Sequence, residues 1–135
     1  MWKSAVLFVA ALVLIPVLDY VFIGKLMSWF YIRELGSLGR TVDGEFLAML
    51  PAAVGVYALL ALGIVCFILS WVETWPQALG WGALLGLIIY GIYDLTNLSI
   101  LQNYSVKMTV VDVAWGTVLC GIISVLTFFL RERLG

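Results

Sequence analysis

The chain has 135 residues, of which 64% are Ala, Val, Ile, Leu, Met, Phe, Trp, Tyr or Cys and only 11% are charged, against roughly 45–50% apolar and 25% charged in soluble domains. Mean hydropathy is +1.15, and seven basic with eight acidic side chains cannot cover a water-soluble fold of this size. Lipid is therefore the solvent for most of the chain, and at about 20 residues per span four helices fill it, leaving no room for a separate soluble domain.

Histidine is absent, which excludes Ser-His and Cys-His catalytic pairs, His-ligated zinc or haem, and imidazole proton relays. A net charge of −1 without a basic run excludes nucleic acid as a partner. Cys66 and Cys120 lie in separate apolar runs and form no CxxC, so they read as buried thiols. No metal and no cofactor is expected.

The first apolar run, about residues 4–23, is broken only by Pro16 and Asp19. Lys25-Leu26-Met27-Ser28-Trp29 follows it in place of a small-residue cleavage site, so it reads as a retained span and not a signal peptide. The second span covers about 46–70, with Pro51 in its first turns, where proline is tolerated. The third covers about 78–101 and the fourth about 108–130, each after a short turn. The runs are long, rich in Leu, Ala and Gly, and lack the period of two that strands require.

Between the first two spans, Gly24–Glu45 is longer and more polar. Met27, Tyr31, Leu35 and Leu38 recur at helical spacing there, which fits either a short helix in the headgroup region or an irregular loop with interfacial anchors. The expected fold is all-α, an integral membrane four-helix bundle with a short interfacial helix between the first and second spans. Its termini share one side with Lys3, Arg131 and Arg133, while Lys25, Arg33, Arg40 and Lys107 lie opposite. The balance is close; Arg131 and Arg133 directly abut a span, which points the termini to the cytoplasm.

Asp19, Asp94 and Asp112 fall within spans, where an ionised carboxylate costs roughly 2.5–3.5 kcal/mol or more. Asp19 precedes the exit of the first span, Asp94 precedes the exit of the third, and Asp112 follows the entry of the fourth. Each of those ends lies on one side of the bundle, the side of the Gly24–Glu45 connection. At about 1.5 Å rise per residue all three sit roughly 5–11 Å below that surface.

Facing agrees with depth. Gly82, Gly86, Tyr90, Asp94 and Asn97 form one stripe of the third span, and Asp112, Gly116, Cys120, Ser124 and Thr127 form one of the fourth. Small residues let helices approach closely in lipid, so the glycines read as packing surface that brings Asp94 beside Asp112. Neighbouring carboxylates cannot both ionise cheaply. The candidate ligand-binding residues are Asp19, Tyr90, Tyr93, Asp94, Asn97, Asp112 and Trp115, with Tyr31, Arg33 and Arg40 as a lid or as charge partners. Polar residues that only tie helices together, or a lone Asp capped or paired with Arg33, Arg40 or Lys107, are the alternative. Asn97-Leu98-Ser99 and Asn103-Tyr104-Ser105 match the glycosylation pattern by chance.

Four motifs carry a resemblance to a known family. They are Asp19-Tyr20-Val21-Phe22-Ile23-Gly24, Phe30-Tyr31 with Leu35-Gly36, Tyr90-Gly91-Ile92-Tyr93-Asp94-Leu95-Thr96-Asn97, and Asp112-Val113-Ala114-Trp115-Gly116. Together they span most of the chain. It resembles a bacterial family of small membrane proteins, domain of unknown function 2177. The resemblance implies a multi-pass protein of the bacterial inner membrane and brings no established activity.

Three functions fit these residues. The first is binding, or help in transport, of a small cationic, proton-coupled or headgroup-like ligand in the acidic, aromatic-lined pocket; with four spans, a transporter would work as a homodimer. The second is a lipid-modifying enzyme that uses paired carboxylates for acid–base chemistry. The third is a structural or assembly subunit. Beyond the lipid bilayer, the partners these readings imply are a small ligand or a lipid headgroup.

Overall fold

The computed structural model describes residues 1–135. Helix α1 spans Trp2–Val21 and continues through a wider turn at Phe22–Leu26, closed by the Met27 amide donating to the Phe22 carbonyl at 2.8 Å. A short helix α2, Ser28–Leu35, follows, so the helical alternative for the connection is the one observed. Strands β1, Thr41–Val42, and β2, Glu45–Phe46, then form a small hairpin that the sequence reading lacks. Its turn residues Asp43 and Gly44 both take positive φ, 51° and 78°, the backbone of the two-residue turn that matches strand twist.

Helix α3, Leu50–Gly63, begins later than the expected Phe46 because Phe46 is held in β2. It too ends in a wide turn, Ile64–Ile68. Helices α4, Trp75–Ile100, and α5, Val106–Arg133, complete the bundle. Pro51 and Pro76 stand in the first turns of α3 and α4, where the missing N–H has no partner to lose. Four helical segments are long and apolar enough to cross a membrane.

Only 27 of 135 residues are buried, and Val9, Val13, Leu59, Phe67, Ile92 and Val110 are among the large apolar residues on the outside. That outward surface suits lipid, with hydrophobic burial confined to the seams. Helix α5 supplies much of the interior, through Leu119, Cys120 and Ile123 among others, packed on Ala11 and Ile15 of α1 and Ala78 of α4. Cys66, expected inside, is exposed on the outer face of the wide turn, whereas Cys120 is buried.

Helices α4 and α5 lie together along their length, and their glycines explain why. A Cβ on Gly86 would overlap the Gly116 carbonyl, one on Gly82 would overlap Ser124, and one on Gly116 would enter the Tyr90 ring. The small-residue stripes are thus the contact itself. Helix α3 behaves differently: it packs on α1, and the chain reaches α4 chiefly through the turn Ile64–Ile68 at its far end. The two helices therefore diverge toward the hairpin side.

At the opposite end the Lys3 ammonium donates to the Gly135 carbonyl, so both termini share a side. The Arg131 guanidinium donates to the carbonyls of Leu69 and Val72, the latter at 2.8 Å, and satisfies backbone acceptors left open where the second span ends.

Candidate functional site

The three intramembrane aspartates meet at the hairpin end, and each accepts one hydrogen bond from an aromatic side chain. Trp115 on α5 donates its indole N–H to Asp19 Oδ1 at 2.7 Å. Tyr31 on α2 donates to Asp112 Oδ1 at 2.7 Å, and Tyr104 in the α4–α5 connection donates to Asp94 Oδ1 at 2.7 Å. Asp94 and Asp112 face one another across the close α4–α5 contact. No lysine or arginine pairs with any of the three.

The donors are themselves held. Phe22, at the start of the wide turn after α1, stacks on Trp115 with ring centroids 4.0 Å apart and planes 11° apart, and meets Tyr31 edge-on at 6.3 Å. Edge contacts of the Phe22–Tyr31 kind add about 0.5–1.5 kcal/mol beyond burial. Phe30, Tyr31 and Met108 form a small core of their own between α2 and α5. Burial and the Asp112 carboxylate beside it push the Tyr31 hydroxyl far above its ordinary range, so it remains a donor. Burial and Asp94 do the same to Tyr104.

A second fastening joins the connection to the bundle. Ser105 caps α5, its hydroxyl accepting from the Met108 amide at 3.1 Å, and donates to the Glu34 carboxylate on α2. The Ser105 hydroxyl, before Arg33 and Lys107, holds Glu34 below the ordinary carboxylate range. The sign follows: with its folded-state value depressed, Glu34 contributes fully above the ordinary Glu range, and the fastening is lost as pH falls through the lower, folded-state value. Acidification is thus expected to loosen α2 and change the fluorescence of Trp29, and Glu34→Gln is expected to flatten that response. A pH profile identical in the variant would contradict it.

Not every expected member arrives. Arg33 turns to Glu34 at 3.1 Å and lies over the Trp29 ring at 5.3 Å, and Arg40 is exposed without an acidic partner. Neither is a charge partner of the aspartates, because α2 presents its Tyr31 face inward and its arginine face to solvent. Of the three lid candidates only Tyr31 closes over the acids. Tyr93 is largely exposed on the α3 side of α4, and Asn97 lies beside Tyr104. Two participants go unread in the sequence: Tyr104, and Tyr57 of α3, which faces Asp19. A lone tyrosine in the otherwise apolar run Leu50–Gly63 is the signal that could have found Tyr57.

The divergence of α3 from α4 leaves a cleft of about 580 Å³, within the range of small-molecule sites. Val56, Leu59 and Leu60 line one wall and Ile89, Tyr90 and Tyr93 the other; Asp19 and Ile23 of α1 and Asp112 of α5 stand between. Leu59, Val56 and Tyr93 are exposed on the outer surface of their helices, so the cleft opens sideways, where acyl chains would lie. The residues offer no cluster suited to a metal ion. What the arrangement can do is meet a positive or hydrogen-bond-donating group with two carboxylates, flanked by the faces of Tyr90 and Tyr93.

Comparison with curated proteins and with solved structures gives no match. Over residues 4–129, which contain all three aspartates and both ends of the cleft, the chain matches the family described as "Predicted membrane protein (DUF2177)", and it belongs to that family of multi-pass membrane proteins.

Proposed function

We propose that this protein binds a small cationic, headgroup-like ligand that reaches Asp19 and Asp112 from the bilayer through the opening between α3 and α4. The observation that supports it is a lipid-facing cleft whose lining is apolar except where two carboxylates stand without a cationic partner. An apolar chain occupies the wall of Val56, Leu59, Leu60 and Ile89; the positive head completes the charge balance inside. Intramembrane acids are costly, and a ligand that neutralises them offsets the cost. Binding of this kind serves transport across one leaflet or presentation of a lipid to another protein. The location that fits is the bacterial inner membrane, with the termini cytoplasmic where Arg131 and Arg133 abut the fourth span.

The test uses the full chain in maltoside micelles, with dodecyltrimethylammonium below its micellar concentration as probe and calorimetry as readout. Saturable binding of about one probe per chain is expected, with dodecyl sulfate and chain-less tetramethylammonium much weaker. Equal binding of tetramethylammonium would overturn the route from the bilayer, and equal binding of dodecyl sulfate would overturn the charge reading.

A further inference from the structure

We infer that Asp94 and Asp112 hold one proton between them and release it by way of Tyr104 when a cation enters the cleft, so that the site exchanges a cation for a proton. The inference rests on the binding reading above and adds its coupling.

Asp94 is completely buried, with 0% of its surface exposed, and does not line the cleft. Its Oδ1 accepts from Tyr104 at 2.7 Å, while its Oδ2 is buried without any hydrogen-bond donor. A buried carboxylate oxygen left without a donor is strongly disfavoured. The group it faces is the Asp112 carboxyl, whose Oδ1 is already engaged by Tyr31 at 2.7 Å. Two carboxyl groups in that relation, with no cation beside them, are joined by a single proton, which supplies the donor Asp94 lacks.

The groups that face the pair are Asp19 from α1, Tyr31 from α2, Tyr90 from α4 itself and Tyr104 from the connection; Tyr57 of α3 and Cys120 of α5 lie beyond, around Asp19 and Tyr90. The tyrosine hydroxyls and the Cys120 thiol are donors, and Asp19, the one other carboxylate among them, is already engaged by the Trp115 indole N–H at 2.7 Å. Asp112 borders the cleft and Tyr104 borders the polar surface, so the pair lies between the ligand's entrance and water. When a cation arrives at Asp112, both carboxylates become ionised against it. The Tyr104 hydroxyl, which points at Asp94 in the resting site, turns to water, and in one concerted step its oxygen takes the proton from Asp94 while its own proton passes to water. One positive charge enters and one leaves, so the charge within the membrane is unchanged.

The experiment has two arms. Without ligand, infrared spectra of the protein in micelles at neutral pH are expected to show a protonated-carboxyl band that disappears in Asp94→Asn and in Asp112→Asn. With dodecyltrimethylammonium, which has no proton to give, an indicator dye in weak buffer is expected to register about one proton released per probe bound. Tyr104→Phe is expected to keep that ratio and slow the release several-fold; in Asp94→Asn, where the amide donates to Asp112, the probe should bind with no release. Absence of the band in the wild-type protein, or its persistence in Asp94→Asn, overturns the shared proton whether or not the probe binds. Binding with no proton released overturns the exchange and leaves the binding reading standing. A band with no probe binding overturns the exchange together with the proposed ligand.

Discussion

Asp112→Asn is expected to weaken binding of the dodecyltrimethylammonium probe by tenfold to about a hundredfold while leaving the fold intact. The affinity loss follows from removing a charged partner worth about 1.5–3 kcal/mol, at about 1.4 kcal/mol per decade. The fold is spared for a geometric reason. The new amide oxygen still accepts from Tyr31, and the new N–H groups can donate to Asp94 Oδ2 in place of the shared proton. Thermal stability in detergent should be equal to the wild type or higher. Asp112→Leu provides the contrast, because it leaves the Tyr31 hydroxyl without an acceptor and Asp94 Oδ2 without a donor, and should cost about 1–3 kcal/mol per orphaned group. A subunit whose aspartates serve only to tie helices would show the reverse: Asp112→Asn neutral in every ligand assay. Calorimetry beside thermal denaturation separates the two cases.

The largest effect on stability is expected at Gly86. Its missing side chain is where the Gly116 carbonyl of α5 and the Cys120 Cβ sit, and a backbone carbonyl cannot swing aside as a flexible side chain can. Gly86→Ala should therefore force α4 and α5 apart and cost about 1–3 kcal/mol, with Gly86→Leu worse. Gly91, one turn and a little further along the same helix, has open space where a Cβ would go. Gly91→Ala should be neutral or gain up to about 1 kcal/mol from helix propensity. Denaturation midpoints of the two variants in one detergent check this. Equal midpoints would contradict the close contact and, with it, the reason Asp94 meets Asp112.

The meeting of the three aspartates was legible in the sequence because it depends on two regular quantities, the helical repeat and the alternation of direction between spans. Asp19, Asp94 and Asp112 each lie near an end of a span, and the order of spans puts those ends on one side. The contact between α4 and α5 was legible for the same reason: Gly82, Gly86 and Gly116 recur at helical spacing. Tyr104 was hidden because it stands in a five-residue connection with no period, next to Asn103 with its positive φ of 62°. The hairpin had a signal in Asp43-Gly44, but strands of two residues each leave no alternation to read. Arg33 and Arg40 look like natural partners for buried acids by charge alone. Their helix and loop place them on the solvent side, and long guanidinium groups stay with water and ring faces where they can.

The divergence of α3 from α4 was not legible at all. It depends on α3 packing on α1 first and on the wide turn at Ile64–Ile68, which resets the helix where it finally meets α4. Neither leaves a mark in hydrophobic periodicity, since α3 is apolar on every face.

Where a ligand lies in this bundle can be read from methyl resonances of the isotope-labelled protein in micelles, with a spin-labelled long-chain trimethylammonium compound as the reporter. Occupation of the cleft predicts that Val56, Leu59, Leu60 and Ile89 broaden first and recover when unlabelled dodecyltrimethylammonium is added, while Val110 and Val118 on the outer face of α5 do not. Broadening that spreads evenly over every outward methyl, or that competition leaves unchanged, would mean the carboxylates draw nothing into the gap beside them.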